Sequence, residues 1–403
     1  MNKGFKTVAC LALGLFLSLS AQEWPQWRGV NRDGKISGFK APKVWPQTLT
    51  KAWQVTVGYG DATPALVADR LYVFARQGDE EVLLCLRAAD GSELWRAAYP
   101  APAVTGPAAS HPGPRSTPLV VDGKVVVLGV GGELRCFNAA DGKLLWEIEE
   151  YAGKVPDFFP SLSPLAHNGV VYAHLGGKNE AAVLAVDLQS GQFKWKLAAE
   201  CPSYASPIIA KIGGIEQLVL YSEKSLFAVD IKTPRILWSL PLQLERFYSN
   251  AVSPLLIGDR VIVTGQGKGT TAYQIQKEGT EFKLKEVWHA ERGNTFNTPI
   301  VLNGALWSLS DKGLFYALKA DDGRELWAGE EKHDRFGSFV DAGEVVFMLS
   351  ATGQLVVLKP EKTSFQEVAR YKVSEKAVYA HPIVAGKRIY IKEEQSVTLW
   401  TLD

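Results

Sequence analysis

Seven tryptophans, Trp53, Trp95, Trp146, Trp195, Trp238, Trp288 and Trp327, recur along the chain at intervals of 42, 51, 49, 43, 50 and 39 residues. A period in the forties is the length of one four-stranded propeller blade, and a unit of that kind can bury its apolar faces only against its neighbours. Between the tryptophans lie apolar runs of strand length, broken by turns such as Asp122-Gly123, Asn168-Gly169 and Asn303-Gly304. These residue types supply the positive φ angles of a tight hairpin. A further strand follows, then a polar turn carrying Asp-Gly or Ser-Gly, then the strand that holds the tryptophan.

The outer strands set the number of blades. Six complete units end on Trp95, Trp146, Trp195, Trp238, Trp288 and Trp327, and a seventh ends near Val368, where residues 367–370 replace the aromatic. An eighth unit stops at Asp403 with three strands, whereas residues 51–55 read as an outer strand with no inner strands before it. Pairing the two would close the ring and remove its last open edge. The expected fold is all-β: an eight-bladed propeller of four-stranded antiparallel blades over residues 51–403, one domain because a continuous array has one continuous core. The tryptophans are expected to act as structural wedges between blades, since a large aromatic repeated at one position of every unit is a packing element.

Lys and Arg number 44 against 43 Asp and Glu, so the chain lacks the basic excess of a nucleic-acid binder. Residues 1–6 are basic, residues 8–19 are apolar, and small residues follow up to Ala21. That is the plan of a signal peptide over 1–21, too short and wrongly flanked to span a membrane. The protein is therefore expected to be exported, periplasmic or extracellular, and monomeric. Cys10 precedes most of the apolar stretch and is misplaced for a lipid anchor. Cys85 and Cys136 each stand five residues before the Asp of a turn, where other units have Ala185, Ala228 and Ala317. The slot asks for a small buried side chain, and cysteine fills it as a small hydrophobe. Cys201 is expected to be a free thiol.

The unit S-P-x-V-x-x-G-x-V-Y-V followed by A-x-D-G-x-x-L-W resembles the pyrroloquinoline-quinone-type (PQQ-like) propeller repeat across almost the whole chain after residue 21. Residues 22–50, opening Trp24-Pro25-Gln26-Trp27-Arg28-Gly29-Val30-Asn31-Arg32-Asp33-Gly34, are similar to the strap that precedes many secreted bacterial propellers of this group. The resemblance implies one of two roles. The BamB-type branch comprises non-catalytic scaffolds of outer-membrane protein assembly, whose partners are envelope proteins. The dehydrogenase branch holds PQQ with calcium and typically carries an adjacent cysteine pair, and no two cysteines are adjacent here. The reading is a binding or scaffold protein without a cofactor, and the alternative is a quinone-dependent dehydrogenase or another small-molecule enzyme.

In a propeller the starts of the innermost strands crowd round the central channel, which makes irregular residues there the default site for a protein partner, a small ligand or a carbohydrate. The candidates are Asp61, Arg115, Phe159, Tyr204, Arg246, Tyr248, Asn250, Asn297, Arg335, Tyr379 and His381. No nucleophile with a neighbouring base is legible, and no histidine pair has zinc spacing. The run 265–270 has the composition of a phosphate cradle without its spacing and reads as a hairpin loop. Asn31 and Asp33 offer two calcium oxygens without the later acidic ligand a calcium loop needs.

Overall fold

A computed structural model describes residues 23–242, 250–265, 267–361 and 364–403. The signal-peptide reading, Arg246 and Tyr248 lie outside the described residues. Among the described residues the strands form eight four-stranded antiparallel sheets, with one 3₁₀ turn at Gly106–Ala108. Seven blades run from inner to outer strand in chain order: 65–100, 119–148, 165–198, 208–241, 255–290, 300–332 and 337–372. The eighth combines 383–401 with Thr50–Thr56, which pairs with Ser396–Thr401 in a register running from Thr50 opposite Thr401 to Thr56 opposite Ser396. The two ends of the chain thus clasp the ring. Asp122-Gly123, Asn168-Gly169 and Asn303-Gly304 all take two successive positive φ angles, the primed turn that matches strand twist.

The tryptophan period has a geometric origin. Cys85, Cys136, Ala185, Ala228, Ala272 and Ala317 stand directly opposite Trp95, Trp146, Trp195, Trp238, Trp288 and Trp327, and in each blade the ladder shifts register at the next residue. A small side chain leaves room for the indole, and the bulge turns it toward the neighbouring blade. The indole Nε1 then donates to a backbone carbonyl there: Trp95 to Ala139 at 3.2 Å, Trp146 to Leu188 at 2.9 Å, Trp195 to Ile231 at 3.2 Å, Trp288 to Ala320 at 3.1 Å. Trp53 of the clasp does the same to Ala88 at 3.3 Å. The Asp-Gly and Ser-Gly turns have a second duty. A Cβ on Gly142, Gly191 or Gly323 would lie 2.5, 2.6 or 2.4 Å from the ring of Trp95, Trp146 or Trp288, so each glycine is the seat of the preceding blade's tryptophan.

Two wedges depart from this scheme. Trp238 donates to Gln217 Oε1 of its own blade at 2.7 Å, because blade 5 replaces the short turn with the long hairpin Gly269–Glu278 and Glu281–Ala290. Trp327 packs between Trp307 and Phe365, at 4.8 and 4.9 Å. Of the run 265–270, Gly265 ends the strand Arg260–Gly265 and Gly269 and Thr270 open Gly269–Glu278, and Gln266 lies outside the described residues.

The strap fills the channel. Trp24 and Leu66 exchange backbone hydrogen bonds at 2.8 and 2.9 Å, and Val120 N donates to Pro25 O, so the strap first lines blades 1 and 2. It ends its crossing at blade 7, where Asp341 N donates to Gly34 O and Ile36 N to Asp341 O. It then packs Phe39 against Phe347, accepts a bond from Tyr371 Oη at Pro46 O, and reaches the clasp strand. Trp24 runs antiparallel to the innermost strand of blade 1, and Ile36 meets the last residue of that strand in blade 7. The strap therefore enters and leaves by the face opposite the strand starts, with its bend pointing toward them. Among the described residues no helix is long and apolar enough to cross a membrane, which says nothing of β-barrels.

Candidate ligand-binding funnel

At the heads of the inner strands of blades 1 to 6 a Ser or Thr precedes proline, which lacks an amide proton and holds the preceding residue extended, while blade 7 has Ser338-Phe339 and blade 8 His381-Pro382. These hydroxyls form a belt round the channel. Thr117 N donates to Ser163 Oγ, Ser163 N to Ser206 Oγ, Ser206 N to Ser253 Oγ and Ser253 N to Thr298 Oγ1, at 2.9–3.1 Å. Across the clasp His381 N donates to Thr63 Oγ1 at 2.9 Å. From blade 2 to blade 6, and again across the clasp, each blade thus registers its inner strand on the next one.

Above the belt opens a cavity of about 500 Å³, and Trp27 at the bend of the strap lies on its floor. Beneath and beside Trp27 are Arg28 and Arg32, whose guanidinium carbons stand 5.5 and 5.2 Å from its ring. Arg28 Nη2 donates to Pro299 O and Asp33 O, and Arg32 to Pro164 O, Ser163 O and Gln26 Oε1. Burial pulls their pKa values down, to about 10 for Arg28 and about 9 for Arg32. Two cations held by carbonyls of opposite blades are latches that fasten the strap across the axis. His381 meets Trp27 edge-on at 6.3 Å, and burial, with the charge of Arg28 added, keeps its imidazole neutral by lowering its pKa to about 3.

The wall carries an acid–base pair. Asp61 Oδ2 lies 2.7 Å from His111 Nδ1, and this hydrogen bond raises the histidine's pKa above its ordinary 6.5. His111 is fixed from the side by the edge of Tyr379 at 5.1 Å. Arg115 donates to the carbonyls of Phe158, Ala108 and His111, and burial lowers its pKa. Aromatics complete the wall. Phe296 stacks on Phe336 at 4.4 Å with planes 10° apart, Phe336 meets Tyr379 edge-on at 5.4 Å, and Phe158 meets Tyr204 at 5.8 Å.

Of the residues expected at the funnel, Asp61, Arg115, Tyr204, Asn297, Tyr379 and His381 line the cavity. Arg335 covers the outer side of the stacked pair, 5.8 Å from Phe296 and 5.2 Å from Phe336. Phe159 is turned away: a left-handed φ of 64° swings it into a small cluster with Val104, Ala108 and Val130, and Phe158 faces the cavity instead. Asn250 is occupied in bracing Ser222 O at 3.1 Å. Trp27, His111 and the hydroxyl belt were not singled out from the sequence. The belt was visible as the repeated Ser-Pro and Thr-Pro, whereas His111 sits in an irregular connection where nothing marks it. Asp33 caps Lys35 N, and among the described residues no group of three or more His, Cys, Asp or Glu is placed to hold a metal ion. Cys85, Cys136 and Cys201 are buried free thiols whose pKa burial raises to about 11, 12 and 11. Thiols so rarely ionised are poor nucleophiles.

The family model described as outer membrane protein assembly factor BamB matches residues 32–213 and 198–329. The chain belongs to this family of PQQ-like propellers. BamB of Burkholderia pseudomallei is 24% identical over 358 residues, 85% of each chain. The crystal structure of BamB from Moraxella catarrhalis superposes with a TM-score of 0.65 at 17% identity, covering 88% of this chain and all of that one. Quinohemoprotein alcohol dehydrogenase from Comamonas testosteroni superposes with a TM-score of 0.69 at 13% identity, covering 94% of this chain and 80% of that one. At such identities the structural neighbours share the fold alone.

Proposed function

We propose that this chain is an exported, non-catalytic propeller of the bacterial envelope that acts as a scaffold for other envelope proteins, in the manner its family description names for outer-membrane protein assembly. The observation that carries this reading is the length of the likeness to BamB, which extends along the blades and is not confined to one motif. The funnel supports it from the other side. A calcium ion takes six to eight oxygens, whereas among the described residues the cavity is lined by one carboxylate, Asp61, already bonded to His111. That lining does not fit a calcium-held quinone. The catalytic alternative has its own support in the dehydrogenase-like fold and in an Asp–His pair facing a cavity, and it makes a separate demand.

The test is made in the native envelope. Photo-crosslinking residues placed at Phe158 and Phe296 are expected to give discrete adducts with envelope proteins, each of which then binds the purified chain directly. Recovery of no such protein, together with dye-linked alcohol oxidation on addition of quinone and calcium, overturns the scaffold in favour of the enzyme.

A further inference from the structure

We infer that the funnel is a binding site for a neutral saccharide, from the juxtaposition of exposed aromatic faces with a polar Asp61–His111 pair and a belt of hydroxyl donors. This goes beyond the scaffold role and does not depend on it.

The size is right for a small ligand: about 500 Å³ lies within the range of roughly 300–1,000 Å³ typical of such pockets. A sugar ring has one face of C–H groups and an edge of hydroxyls, so its site needs a flat apolar surface beside convergent polar atoms. Phe296 and Tyr379 are 37% and 38% exposed although they are large aromatics, and both line the cavity. They are also rigid. Phe336 stacks behind Phe296 and abuts Tyr379, which His111 holds from its other side.

The polar atoms have unused capacity. Asp61 spends Oδ2 on His111, leaving Oδ1 to accept and His111 Nε2 to exchange a proton, two neighbouring atoms that suit a pair of adjacent hydroxyls. In the belt, Thr63, Ser206, Ser253 and Thr298 use their oxygens to accept backbone amides, and each still has a proton to donate into the cavity they line. An apolar ligand would leave these groups without hydrogen-bond partners, which weakens its binding.

Charge decides against an ionic ligand. Among the described residues the lining has one carboxylate and one guanidinium; the first is paired with His111 and the second is spent on three carbonyls. A ligand with net charge would give up its hydration without gaining a counter-ion. A ligand rich in hydroxyls and neutral overall meets every requirement.

Calorimetry and tryptophan fluorescence of the full mature chain, with Trp27 on the floor as reporter, test the assignment. The probes are cellobiose, maltose, mannobiose and chitobiose, with digalacturonate and an acidic aromatic peptide as charged comparisons. Saturable binding of at least one neutral disaccharide is expected, weakened by about tenfold in Tyr379→Ala and in Asp61→Asn. Tyr379→Phe, which preserves the stacking face and hence the fold, is expected to bind nearly as the wild type does. No saturable binding of any neutral sugar overturns the proposal, as does binding that Tyr379→Ala and Phe296→Ala leave unchanged, or binding of the charged probes alone. Crosslinking reads the scaffold separately: a chain that binds sugar but captures no envelope protein sinks that role and leaves this one standing.

Discussion

Asp61 and His111 give the funnel a protonation state that can be followed directly. The folded pKa of His111 lies above 6.5, so the pair contributes fully below that value and its contribution is lost as pH rises through the raised pKa. In Asp61→Asn the imidazole is expected to titrate at lower pH, which an NMR titration of its ring protons reads; an unchanged midpoint would show that Asp61 is not the cause. Glu81 acts in the same direction with pH, for a different reason. It is buried between blades 1 and 2, accepts from Val130 N at 2.9 Å and Tyr99 Oη at 2.8 Å, and faces Glu133 and Arg135. Desolvation, the largest cause, raises its pKa from 4.5 to about 7. A carboxyl that binds its proton more tightly when folded is destabilising once ionised, so stability falls as pH rises between those values, by up to about 3 kcal/mol. Glu81→Gln keeps an acceptor for Val130 N and removes the charge. Melting curves at pH 5 and pH 8 are expected to differ less for this variant than for the wild type.

The blade is the unit in which sequence and structure agree best. A tryptophan opposite Cys or Ala, a bulge, and a glycine in the next blade's turn form one contact repeated round the ring. Trp146, buried and bonded to Leu188 O, is its fullest example. Trp146→Ala is expected to cost about 3–5 kcal/mol in chemical denaturation. Gly142→Ala is expected to be strongly destabilising as well, since its φ of +75° is strained for alanine and its Cβ would lie 2.5 Å from Trp95. If Gly142→Ala melts like the wild type, neither the turn nor the indole of Trp95 requires a glycine there. The repeat made this contact legible, because a pattern stated six times separates what packs from what varies. The funnel is written in residues stated once. Asp61, Tyr379 and Arg115 were legible because they stand where the repeat breaks, while Phe158 and Phe159 were exchanged because a single left-handed φ decides which of two adjacent rings turns inward. His111 and Trp27 come from segments outside the repeat, whose path depends on contacts with several blades that no local pattern specifies.

The whole ring depends on its clasp. Thr50–Thr56 is the outermost strand of the last blade, and the tryptophan it carries seats on Gly91 of the first. A chain beginning after Thr56 would expose Ser396–Thr401 as an unpaired edge and leave Gly91 bare. It is expected to lose cooperativity in unfolding and to associate through that edge, which gel filtration with light scattering detects. A monomer with an unchanged transition would mean the ring closes without its fourth strand.

The strap changes what kind of vessel the molecule is. With Pro25 bonded to blade 2 and Arg28 to blade 6 across the axis, the chain is stopped like a cup and not pierced like a washer. Nothing can be threaded from one side to the other. Whatever enters must leave by the same mouth, so entry and exit compete for one opening, and a large partner seated on the rim would hold a small occupant captive beneath it.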